Sequence, residues 1–417
     1  MQYRTVSVVG LGYIGLPTAT MFARSGIEVI GVDVFPRIVE AVNAGRPHFD
    51  EPDLNNLLAN AVAARKLRAT LEPEPADAFI IAVPTPFRDN HQPDISYIEA
   101  AVGLIAPVLA KGNLVVLEST SPVGTTEEIA RWLADARPDL KFPVAGVGEP
   151  DVFIAYCPER VLPGRIIKEL VENARTIGGL TPECGRRALA LYQAFVKGAC
   201  SVTTARTAEM AKLTENSFRD VNIAFANELS VICDELGIDV WELRQIANQH
   251  PRVNILEPGP GVGGHCIAVD PWFIVAAAPD AAKLIRAARE VNDFKPHFLL
   301  GKIKAALKSR DGKPTIACLG LAYKRDVDDL RESPAVEIVR LLAEHAVGRI
   351  LVVEPHVREL PENLKLADVE LATLAEALEQ AEVLVLLVDH APFRQVGRDA
   401  LAGKVVIDTR GIWRAAK

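Results

Sequence analysis

A single cysteine stands inside a glycine-rich segment in the second half of the chain. Four glycines between residues 259 and 264 precede Cys266, and the carboxylate of Asp270 follows it by four residues. Glycine accepts positive φ and lets backbone approach a ligand closely, so such a segment can present a thiol to a substrate. The segment predicts either a reactive, nucleophilic cysteine or an ordinary turn with a buried and inert thiol.

The N-terminal segment has the pattern of a dinucleotide-binding unit. An apolar run at 6–9 leads into Gly10, Gly12 and Gly15, and a helix-compatible stretch follows to about Arg24. The first glycine permits a tight turn, the second lets backbone reach a pyrophosphate, and the third allows close helix–strand packing. The order of strand, glycine turn and helix therefore predicts a nucleotide site.

A second apolar run ends in Asp33, and this residue bears on the choice of cofactor. A carboxylate at that point can accept hydrogen bonds from both ribose hydroxyls of adenosine and would repel a 2′-phosphate, which favours NAD over NADP. Arg37 lies close enough in sequence to soften that repulsion.

Length and composition exclude several classes of protein. The chain of 417 residues is long enough for two or three domains, and 49% hydrophobic with 24% charged residues is typical of a globular protein. The net charge of −8 argues against a nucleic-acid binder with a broad basic surface. Six cysteines without a C-x-x-C pair disfavour a zinc site and a disulfide framework. We find neither a signal peptide nor an apolar run that could cross a bilayer, so we expect a cytoplasmic protein with no membrane partner.

Alternating strands and helices predict the first domain. Strand-like runs at 78–83, 114–117 and 153–156 alternate with helical segments up to about residue 200, which implies a doubly wound parallel sheet. Ligands bind beyond the carboxyl ends of such strands. Polar residues in the segments at those ends are Thr85, Thr120, Thr126, Glu159 and Arg160.

The pattern changes to helical periodicity from about Thr204 to Gln249, where apolar residues recur at steps of three and four. The stretch 281–307 also reads as helix, although Pro296 should kink or divide it. We therefore expect a central helical domain. An apolar stripe on its helices would suit either burial within the chain or a dimer surface.

The last hundred residues repeat the first in the same order. The run 315–323 parallels 5–13, and three later runs parallel the strands that follow it. The sequence thus predicts an α/β protein with two Rossmann-like, doubly wound parallel-sheet domains joined by a central helical domain. The expected domains are 1–202, which carries the dinucleotide motif, 203–308, which carries the helical segments and the cysteine segment, and 309–417, which is the second Rossmann-like unit.

The second repeat differs from the first at its glycine turn. Its glycines are incomplete, and Lys324, Arg325 and Arg331 have entered. These changes disfavour a second dinucleotide site and suit an anionic nucleotide diphosphate. A solvated charged turn explains them as well, because Asp326 and Asp329 are close in sequence.

Together these segments resemble the UDP-glucose/GDP-mannose dehydrogenase family along essentially the whole chain. The segments that carry the resemblance are 10–17, 83–86, 118–126, 212–216, 259–270 and 331–334. Residues 156–164, 215–222 and 264–266 look like the UDP-N-acetyl-D-mannosamine dehydrogenase branch. His265 disfavours UDP-glucose 6-dehydrogenase, which usually has Ser before the cysteine, whereas the UDP-N-acetylglucosamine 6-dehydrogenase branch also carries Gly-His-Cys.

The resemblance implies NAD-dependent oxidation of a sugar C6 alcohol to a carboxylate, with two NAD⁺ reduced. An aldehyde has no hydride to give until a nucleophile adds; thiolate addition makes a thiohemiacetal that can donate one and leaves a thioester for water. Cys266 would be that nucleophile. By similarity Lys212 and Asn216 would hold the reacting oxygen, and Asp270 would orient Lys212 or activate water. Glu159 and Thr120 would position water, and the identity of the general base stays open.

The resemblance also implies the ligand contacts and the assembly. The NAD contacts would be Gly10, Gly12, Tyr13, Ile14, Gly15, Asp33, Arg37, Thr85 and Thr126. The sugar and phosphate contacts would be Arg160, Val161, Lys212, Asn216, Arg219, His250, Arg252 and Gly263. Tyr323, Lys324, Arg331 and Arg410 would serve the uridine diphosphate. Because the Arg252 segment can reach the partner's substrate in this family, a homodimer or a larger assembly is implied, as is a role in polysaccharide biosynthesis.

Two other functions stay open at the level of sequence. A two-electron β-hydroxyacid dehydrogenase also joins a Rossmann domain to a helical one and uses a lysine, but it needs neither Cys266 nor the second Rossmann-like unit. A non-catalytic nucleotide-sugar sensor would keep the fold without turnover. The combination of Cys266, Lys212, Asn216 and Asp270 argues for the enzyme, with UDP-N-acetyl-D-mannosamine as the favoured substrate.

Overall fold

The chain divides into two compact units. The computed structural model describes residues 3–88, 91–144, 148–162, 164–264, 266–308 and 312–414. The first unit comprises residues 1–215 with 276–278, and the second comprises 216–275 with 279–417. The predicted domain boundaries at residues 202 and 308 stay predictions.

The first unit alternates strands and helices as the sequence predicted, and a short 3₁₀ helix lies at Ala106–Val108. Its strands are β1 (Thr5–Val9), β2 (Glu28–Val32), β3 (Leu67–Thr70), β4 (Ala78–Ile81), β5 (Phe87–Arg88), β6 (Gln92–Pro93), β7 (Leu114–Leu117), β8 (Phe153–Tyr156), β9 (Arg175–Gly179) and β10 (Cys200–Thr204). Its helices are α1 (Gly15–Arg24), α2 (Pro36–Asn43), α3 (Leu54–Ala63), α4 (Ser96–Ile105), α5 (Thr125–Ala136), α6 (Ile166–Glu172) and α7 (Pro182–Tyr192). Every residue of β4, β7 and β8 is buried, because helices cover both faces of the sheet.

The large sheet has the order β3-β2-β1-β4-β7-β8-β9-β10. Its neighbouring strands are parallel except β8 and β9, where Ala155 and Tyr156 pair antiparallel with Gly179 and Gly178. The predicted doubly wound parallel sheet is confirmed, and this antiparallel pair is a feature that the sequence did not predict. The connection between β8 and β9 returns along the carboxyl edge of the sheet instead of crossing it, so the segment after β8 stays at the edge where ligands bind.

Four helices follow: α8 (Ala205–Leu236), α9 (Val240–Ala247), α10 (Asp270–Ala277) and α11 (Lys283–Leu307). The predicted helical segments are therefore present. Of the kink or division expected at Pro296, the division is wrong, because Pro296 lies inside one continuous α11. Proline has no N–H, so the carbonyl of Asn292 one turn earlier receives no helical hydrogen bond from it. Gly261 passes this carbonyl closely: a Cβ on Gly261 would lie 3.2 Å from the Asn292 oxygen.

The C-terminal part of the second unit repeats the topology of the first. Its elements are β11 (Thr315–Leu319), α12 (Pro334–Glu344), β12 (Arg349–Val353), β13 (Val369–Leu371), α13 (Leu374–Gln380), β14 (Val383–Leu386), α14 (Ala391–Arg394), α15 (Arg398–Leu401) and β15 (Val405–Asp408). The sheet order β13-β12-β11-β14-β15 matches β3-β2-β1-β4-β7 of the first sheet, and all its pairings are parallel. The predicted second Rossmann-like unit is confirmed.

The first glycine of each repeat does the same structural work. Gly10 and Gly320 leave β1 and β11 with φ of +91° and +94°. Each donates its N–H over 2.8 Å to the last residue of the neighbouring strand, Val32 in one repeat and Val353 in the other. Positive φ is costly for residues with a Cβ, so glycine is required at this turn even where the rest of the glycine motif is lost.

No helix in the part of the chain that the structure describes is both long and apolar enough to span a membrane.

Replacement of Gly320 should destabilise the second unit. A Cβ at this position would lie 2.4 Å from the Cβ of Val388, and the φ of +94° adds strain. We expect Gly320→Ala to lower the free energy of unfolding by about 2–4 kcal/mol, measured by urea denaturation. Gly301→Ala is the matched control, because Gly301 lies within α11 with no neighbouring atom near its Cβ position and should gain about 0.5–1 kcal/mol. Equal stability of the two variants would contradict the close contact at Val388.

Candidate active site

The N-terminal glycine turn leaves room for a ligand at one defined point. A Cβ on Gly15 would lie 1.8 Å from the Gly10 carbonyl oxygen, and one on Gly10 would lie 2.6 Å from the Ala82 carbonyl oxygen. Gly12, by contrast, has open space around its Cβ position. The turn is closed on the protein side and open at Gly12, directly before the N-terminus of α1. This arrangement fits a pyrophosphate bound by backbone N–H groups.

Asp33 is buried at the end of β2 and is held by backbone. Its Oδ2 accepts the Leu11 N–H and its Oδ1 accepts the Phe35 N–H, both over 3.0 Å. Each carboxylate oxygen can accept a further hydrogen bond, so both keep capacity for the ribose hydroxyls. Arg37 is exposed, and its guanidinium lies 5.7 Å from the Phe35 ring centre. The structure thus fixes the orientation of Asp33 before any ligand binds.

The remaining predicted cofactor residues line the same region of the first unit. The Tyr13 ring stacks on Phe49 with 4.3 Å between ring centres, and Ile14 is the N-cap residue of α1. Thr85 donates its hydroxyl to the Thr120 carbonyl over 2.6 Å. The loops after β4 and β7 are therefore joined at two residues that the sequence analysis selected separately.

Thr126 is held by a residue that sequence reasoning missed. Glu209 of α8 accepts the Thr126 hydroxyl over 2.6 Å, the Thr126 N–H over 2.8 Å and the Gly124 N–H over 2.6 Å. The carboxylate thus satisfies the first N–H groups of α5. Burial raises the pKa of Glu209, and these three hydrogen bonds oppose that shift. Glu209 lies three residues before Lys212 on a helix, a spacing that could have identified it.

Lys212 and Glu159 form a buried pair in the first unit. The Lys212 ammonium donates to the Glu159 backbone carbonyl over 2.9 Å and lies 3.7 Å from its carboxylate. The Glu159 carboxylate also accepts the Val161 N–H over 2.6 Å. Lys212 is 6% exposed, so it is not the solvated helix lysine of the alternative interpretation. Arg160 is bound to Thr176 and forms an ion pair with Glu215, which ties it to β9 and α8.

A buried ion pair lies beneath these strand ends. Arg175, the first residue of β9, donates to Glu118 over 3.2 Å, and Tyr192 donates to the same carboxylate over 3.3 Å. The Arg175 guanidinium also lies 4.8 Å from the Tyr192 ring centre and 3.9 Å from the Cys157 sulfur. Burial raises the pKa of Glu118, which Arg175 opposes. The pair braces the two segments that lead to Thr120 and Glu159, and sequence reasoning missed it because Arg175 gives no local signal.

The cysteine segment and Asp270 come together in the second unit. The Cys266 carbonyl accepts the N–H groups of Val269 over 3.1 Å and Asp270 over 2.9 Å, so the cysteine immediately precedes the first turn of α10. Asn216 of α8 donates its side-chain amide to the Asp270 carboxylate over 2.5 Å. Cys266 is partly exposed. His265, whose role the sequence left open, lies outside the described residues.

The predicted substrate residues divide into exposed and anchored groups. Arg219, His250 and Arg252 are exposed, and His250 Nδ1 accepts the Arg252 N–H over 3.3 Å. These three side chains are accessible in the chain by itself.

Tyr323 and Gly263 pack directly against each other in the second unit. A Cβ on Gly263 would lie 2.9 Å from the Tyr323 Cβ and 2.4 Å from the Glu332 carbonyl oxygen. Gly264 donates its N–H to the Arg331 carbonyl over 3.0 Å. The cysteine segment therefore lies against the turn that follows β11, as expected if one ligand were to contact both.

The basic residues expected to bind the diphosphate in the C-terminal Rossmann-like domain are partly neutralised by carboxylates. Arg331 is exposed but ion-paired with Asp329 at 2.6 Å, and Lys324 is exposed. Arg410 donates to Asp389 over 3.2 Å and to the Pro258 carbonyl over 3.5 Å. The charged-turn interpretation thus describes Arg331 correctly in this structure, and a bound diphosphate would have to displace or share Asp329.

The acid that follows the second strand has different hydrogen-bond partners in the two repeats. Glu354 stands where Asp33 stands in the first repeat, but it accepts the N–H groups of Leu321 and Ala322 and the Nε2 of His390. Burial opposes its ionisation, but these hydrogen bonds prevail and lower the pKa of Glu354. His390 Nδ1 accepts the Asp326 N–H over 2.9 Å, so both ring nitrogens are occupied. The nearby group of Asp326, His356 and His390 therefore does not present three available metal ligands.

Comparison with known families accounts for nearly the whole chain. Residues 4–196 match the NAD binding domain of the UDP-glucose/GDP-mannose dehydrogenase family, 206–294 match its central domain, and 317–415 match its UDP binding domain. The chain belongs to the UDP-glucose/GDP-mannose dehydrogenase family. The family resemblance and the expectation of NAD as cofactor are thereby confirmed.

Individual members of the family match over the full length. The chain is 62% identical to the NDP-N-acetyl-D-galactosaminuronic acid dehydrogenase of Ralstonia nicotianae, covering 100% of this chain and 98% of that protein. It is 58% identical to the UDP-N-acetyl-D-mannosamine dehydrogenase of Yersinia pestis, covering 99% and 100%. The solved structure of the UDP-D-ManNAc dehydrogenase from Pyrococcus horikoshii has a TM-score of 0.88 at 39% identity, covering 99% and 96%.

Membership of this family gives the activity of the chain. The chain is an NAD-dependent UDP-sugar dehydrogenase, with the glycine turn and Asp33 in the NAD binding domain and Tyr323, Lys324 and Arg331 in the UDP binding domain. The open Gly12 and the oriented Asp33 fit the dinucleotide. The Oε2 of Glu354 already accepts two backbone N–H groups and pairs with His390, so it has less capacity than the Asp33 Oδ2 to accept a ribose hydroxyl.

Native alkylation should distinguish the thiol of the cysteine segment. Burial raises the pKa of Cys157 to about 11 and that of Cys318 to about 12, so both should stay protonated and unreactive at pH 8. We expect iodoacetamide to modify Cys266 first and Cys200 second. Cys200 is also partly exposed, but burial raises the pKa of its thiol. Peptide mass spectrometry over time gives the order. Modification of Cys157 as early as Cys266 would contradict a presented thiol.

Proposed function

We propose that this chain oxidises the C6 alcohol of a UDP-N-acetylhexosamine to the carboxylate, and that UDP-N-acetyl-D-mannosamine is its substrate. The observation that carries the proposal is the cysteine segment: a partly exposed Cys266 directly before α10, with Asp270 hydrogen-bonded to Asn216. A two-electron dehydrogenase has no need of a thiol at such a point. The full-length likeness to dehydrogenases of N-acetylated UDP-sugars supports the substrate class.

In this mechanism Cys266 captures the half-oxidised sugar. Removal of hydride from C6 and of the hydroxyl proton gives an aldehyde, and the thiolate adds to its carbonyl carbon. The thiohemiacetal then loses a second hydride and becomes a thioester, which water hydrolyses to the acid and the free thiol. NAD⁺, when bound, supplies the acceptor for each of the two hydrides. Two electrons leave in each oxidation, so the balance is four electrons and two NADH for one sugar.

Two groups are proposed to handle the charge on the reacting oxygen. Lys212, buried beside Glu159, can stabilise an alkoxide as the ammonium, or as the neutral amine can accept the hydroxyl proton and return it. Asn216 can hold the same oxygen or a water through the part of its amide that Asp270 does not occupy. Glu159, whose second oxygen is bound to the Val161 N–H, and Thr120 would position the hydrolytic water. The assignment of the base among Lys212, Asp270 and Glu159 belongs to this proposal.

A second substrate is favoured by one specific observation. The relative at 62% identity carries the name of an N-acetyl-D-galactosaminuronic acid dehydrogenase, whereas that at 58% carries the name of an N-acetyl-D-mannosamine enzyme. The two sugars share the C2 acetamido group and the C6 alcohol but differ in configuration at C2 and C4. We therefore keep the galacto-configured UDP-sugar as the alternative substrate of the same reaction.

Turnover of a sugar panel tests this proposal. UDP-N-acetyl-D-mannosamine, UDP-N-acetyl-D-galactosamine, UDP-N-acetyl-D-glucosamine and UDP-glucose would each be incubated with NAD⁺, and both NADH and the uronic acid would be quantified. We expect two NADH per sugar consumed, with the manno-configured sugar giving the highest kcat/KM. One NADH per sugar would favour a two-electron dehydrogenase, and tight binding without NADH would favour a sensor.

Cys266→Ala is the variant that isolates the covalent step. Without the thiol no thiohemiacetal forms, so we expect acid formation to fall by at least about a thousandfold while NAD⁺ still binds. Cys200→Ala, at the other partly exposed cysteine, is the matched control and should retain activity. Unchanged acid production in Cys266→Ala would exclude the covalent route.

We further propose that the chain forms a homodimer through α8. Apolar side chains recur on this helix at intervals of seven residues and face solvent: Phe218 is 70% exposed, Phe225 is 52% and Ile232 is 43%. Three large apolar residues in one stripe are costly to leave in water, so a second copy of the helix is a suitable cover. The exposed Arg252 would then be available to the partner's substrate, as the family resemblance implies.

Replacing the central residue of that stripe should separate the subunits. We expect wild-type protein to elute at twice the mass of the chain in size-exclusion chromatography with light scattering, and Phe225→Asp to shift it towards the monomer. Tyr97→Asp is the control, because Tyr97 is 50% exposed on a different helix, α4. A dimer that persists in Phe225→Asp would contradict an interface on this face of α8.

A further inference from the structure

The cysteine segment begins at a buried hydrogen bond. Gly259 donates its N–H to the side-chain Oδ1 of Asn227 on α8 over 2.8 Å. Both groups are buried, and Asn227 is fully inaccessible to solvent. Pro258 and Pro260 flank Gly259, so this N–H is the single backbone donor at the start of the segment. The position at which the segment begins therefore depends on one acceptor, the Asn227 Oδ1.

That acceptor belongs to a chain of hydrogen bonds with a definite direction. Asn227 donates its Nδ2 to the Oδ1 of Asn292 over 2.8 Å, and Asn292 donates its Nδ2 to the Oδ1 of Asp220 over 2.8 Å. Arg289 donates to the same Asp220 oxygen over 2.7 Å. A carboxylate can only accept, so it requires Asn292 to present its NH₂ group and, through Asn292, requires Asn227 to do the same. Asn227 is left with its oxygen facing Gly259.

The charged end of this chain is strongly held. Asp220 is fully buried and Arg289 is 2% exposed, so neither charge is compensated by solvent. Burial raises the pKa of Asp220, and the guanidinium of Arg289 and the amide of Asn292 oppose that shift. Removal of one partner of such a pair is costly because the other charge stays buried. The direction of the hydrogen bonds is thereby built into the interior of the unit.

Helix α8 holds the cysteine segment at both ends. Asn227 binds Gly259 at its start and Asn216 binds Asp270 at its end. The two asparagines are eleven residues apart on one helix, which corresponds to about 16 Å along the axis. Between the two ends, Gly261 passes the Asn292 carbonyl that Pro296 leaves without a helical donor. The helix therefore fixes the distance between the two ends of the segment.

We infer that Asn227 is a positioning residue for Cys266, and that the buried Asp220–Arg289 pair acts on the thiol by fixing the direction of the Asn227 amide. This inference rests on the proposed role of Cys266 as nucleophile. The Asn227 side chain touches neither sulfur nor ligand; it sets where the cysteine segment begins. The buried ion pair between Asp220 of α8 and Arg289 of α11 stabilises this orientation of the Asn227 amide.

The first test removes the acceptor. In Asn227→Ala the Gly259 N–H loses its partner, and we expect its hydrogen exchange, read by mass spectrometry of the peptide around Pro258 and Pro260, to quicken at least about tenfold. The misplaced thiol should lower kcat by about tenfold while KM for NAD⁺ changes less than about twofold. Asn222→Ala is the matched control on the same helix, because Asn222 donates to the Phe218 carbonyl one turn away.

The second test moves the charge and does not depend on a truncation that could unfold the chain. In Asn227→Asp a carboxylate would face the Asn292 oxygen, and in Asp220→Asn the amides lose their fixed direction; each should reproduce the fast exchange and the fall in kcat. Combining the two lets Asn292 turn over, so that a carboxylate at 227 accepts from both Gly259 and Asn292. We expect the double variant to exceed either single variant in kcat by at least about threefold, with Gly259 protected again.

Each outcome decides the inference. Unchanged Gly259 exchange in Asn227→Ala overturns it, as does fast exchange with full kcat. A double variant no better than its singles overturns the role of the Asp220 charge. If Cys266→Ala keeps making acid, the proposed function fails, while the exchange measurements still decide whether Asn227 holds the segment. Rescue in the double variant supports the inference, because loss of stability alone would add and not cancel.

Discussion

The cost of burying a charged group governs the internal layout of this protein. An ionised side chain removed from water must find a partner of opposite charge or several hydrogen bonds. Such arrangements adjoin residues proposed for the active site at Glu118 with Arg175, at Glu209 with the start of α5, and at Asp220 with Arg289. Each buried charge binds a partner that is far away in sequence. The loops that follow the joined elements contain the residues proposed for catalysis and binding.

The two Rossmann-like domains illustrate how one topology serves two ligands. Both keep a glycine with positive φ after the first strand and an acid after the second. Asp33 uses one backbone N–H on each oxygen and retains acceptor capacity, whereas the Glu354 carboxylate is taken up by two backbone N–H groups, His390 and the His356 N–H. Glu354 is one methylene longer than Asp33, and its Oε2 also pairs with His390. The two acids therefore differ in the acceptor capacity that they offer a ligand, while the strand order of the two sheets matches.

Much of the candidate site could be read from local sequence patterns, and the misses share a cause. The threonines after β4 and β7 and the segment after β8 were selected because strand ends are recognisable, and Thr85 does bond to Thr120. Glu209 was missed because its partners lie more than eighty residues earlier in the chain. Asn227 was missed for the same reason: Gly259 is 32 residues away and Asn292 is 65. A hydrogen bond between distant residues leaves no periodic trace in a single sequence.

Hydrophobic period, glycine spacing and strand-end position are local properties, so the elements, the repeat, the NAD turn and Cys266 as a candidate nucleophile could be predicted from the chain. The antiparallel pairing of β9, the continuity of α11 through Pro296, and the partners of Asp270, Glu209 and Asn227 became apparent only in the folded protein. Those features depend on which buried polar groups meet after the chain has packed. Each group must then be satisfied by whatever neighbour packing provides, so its partner is a property of the fold and not of the local sequence.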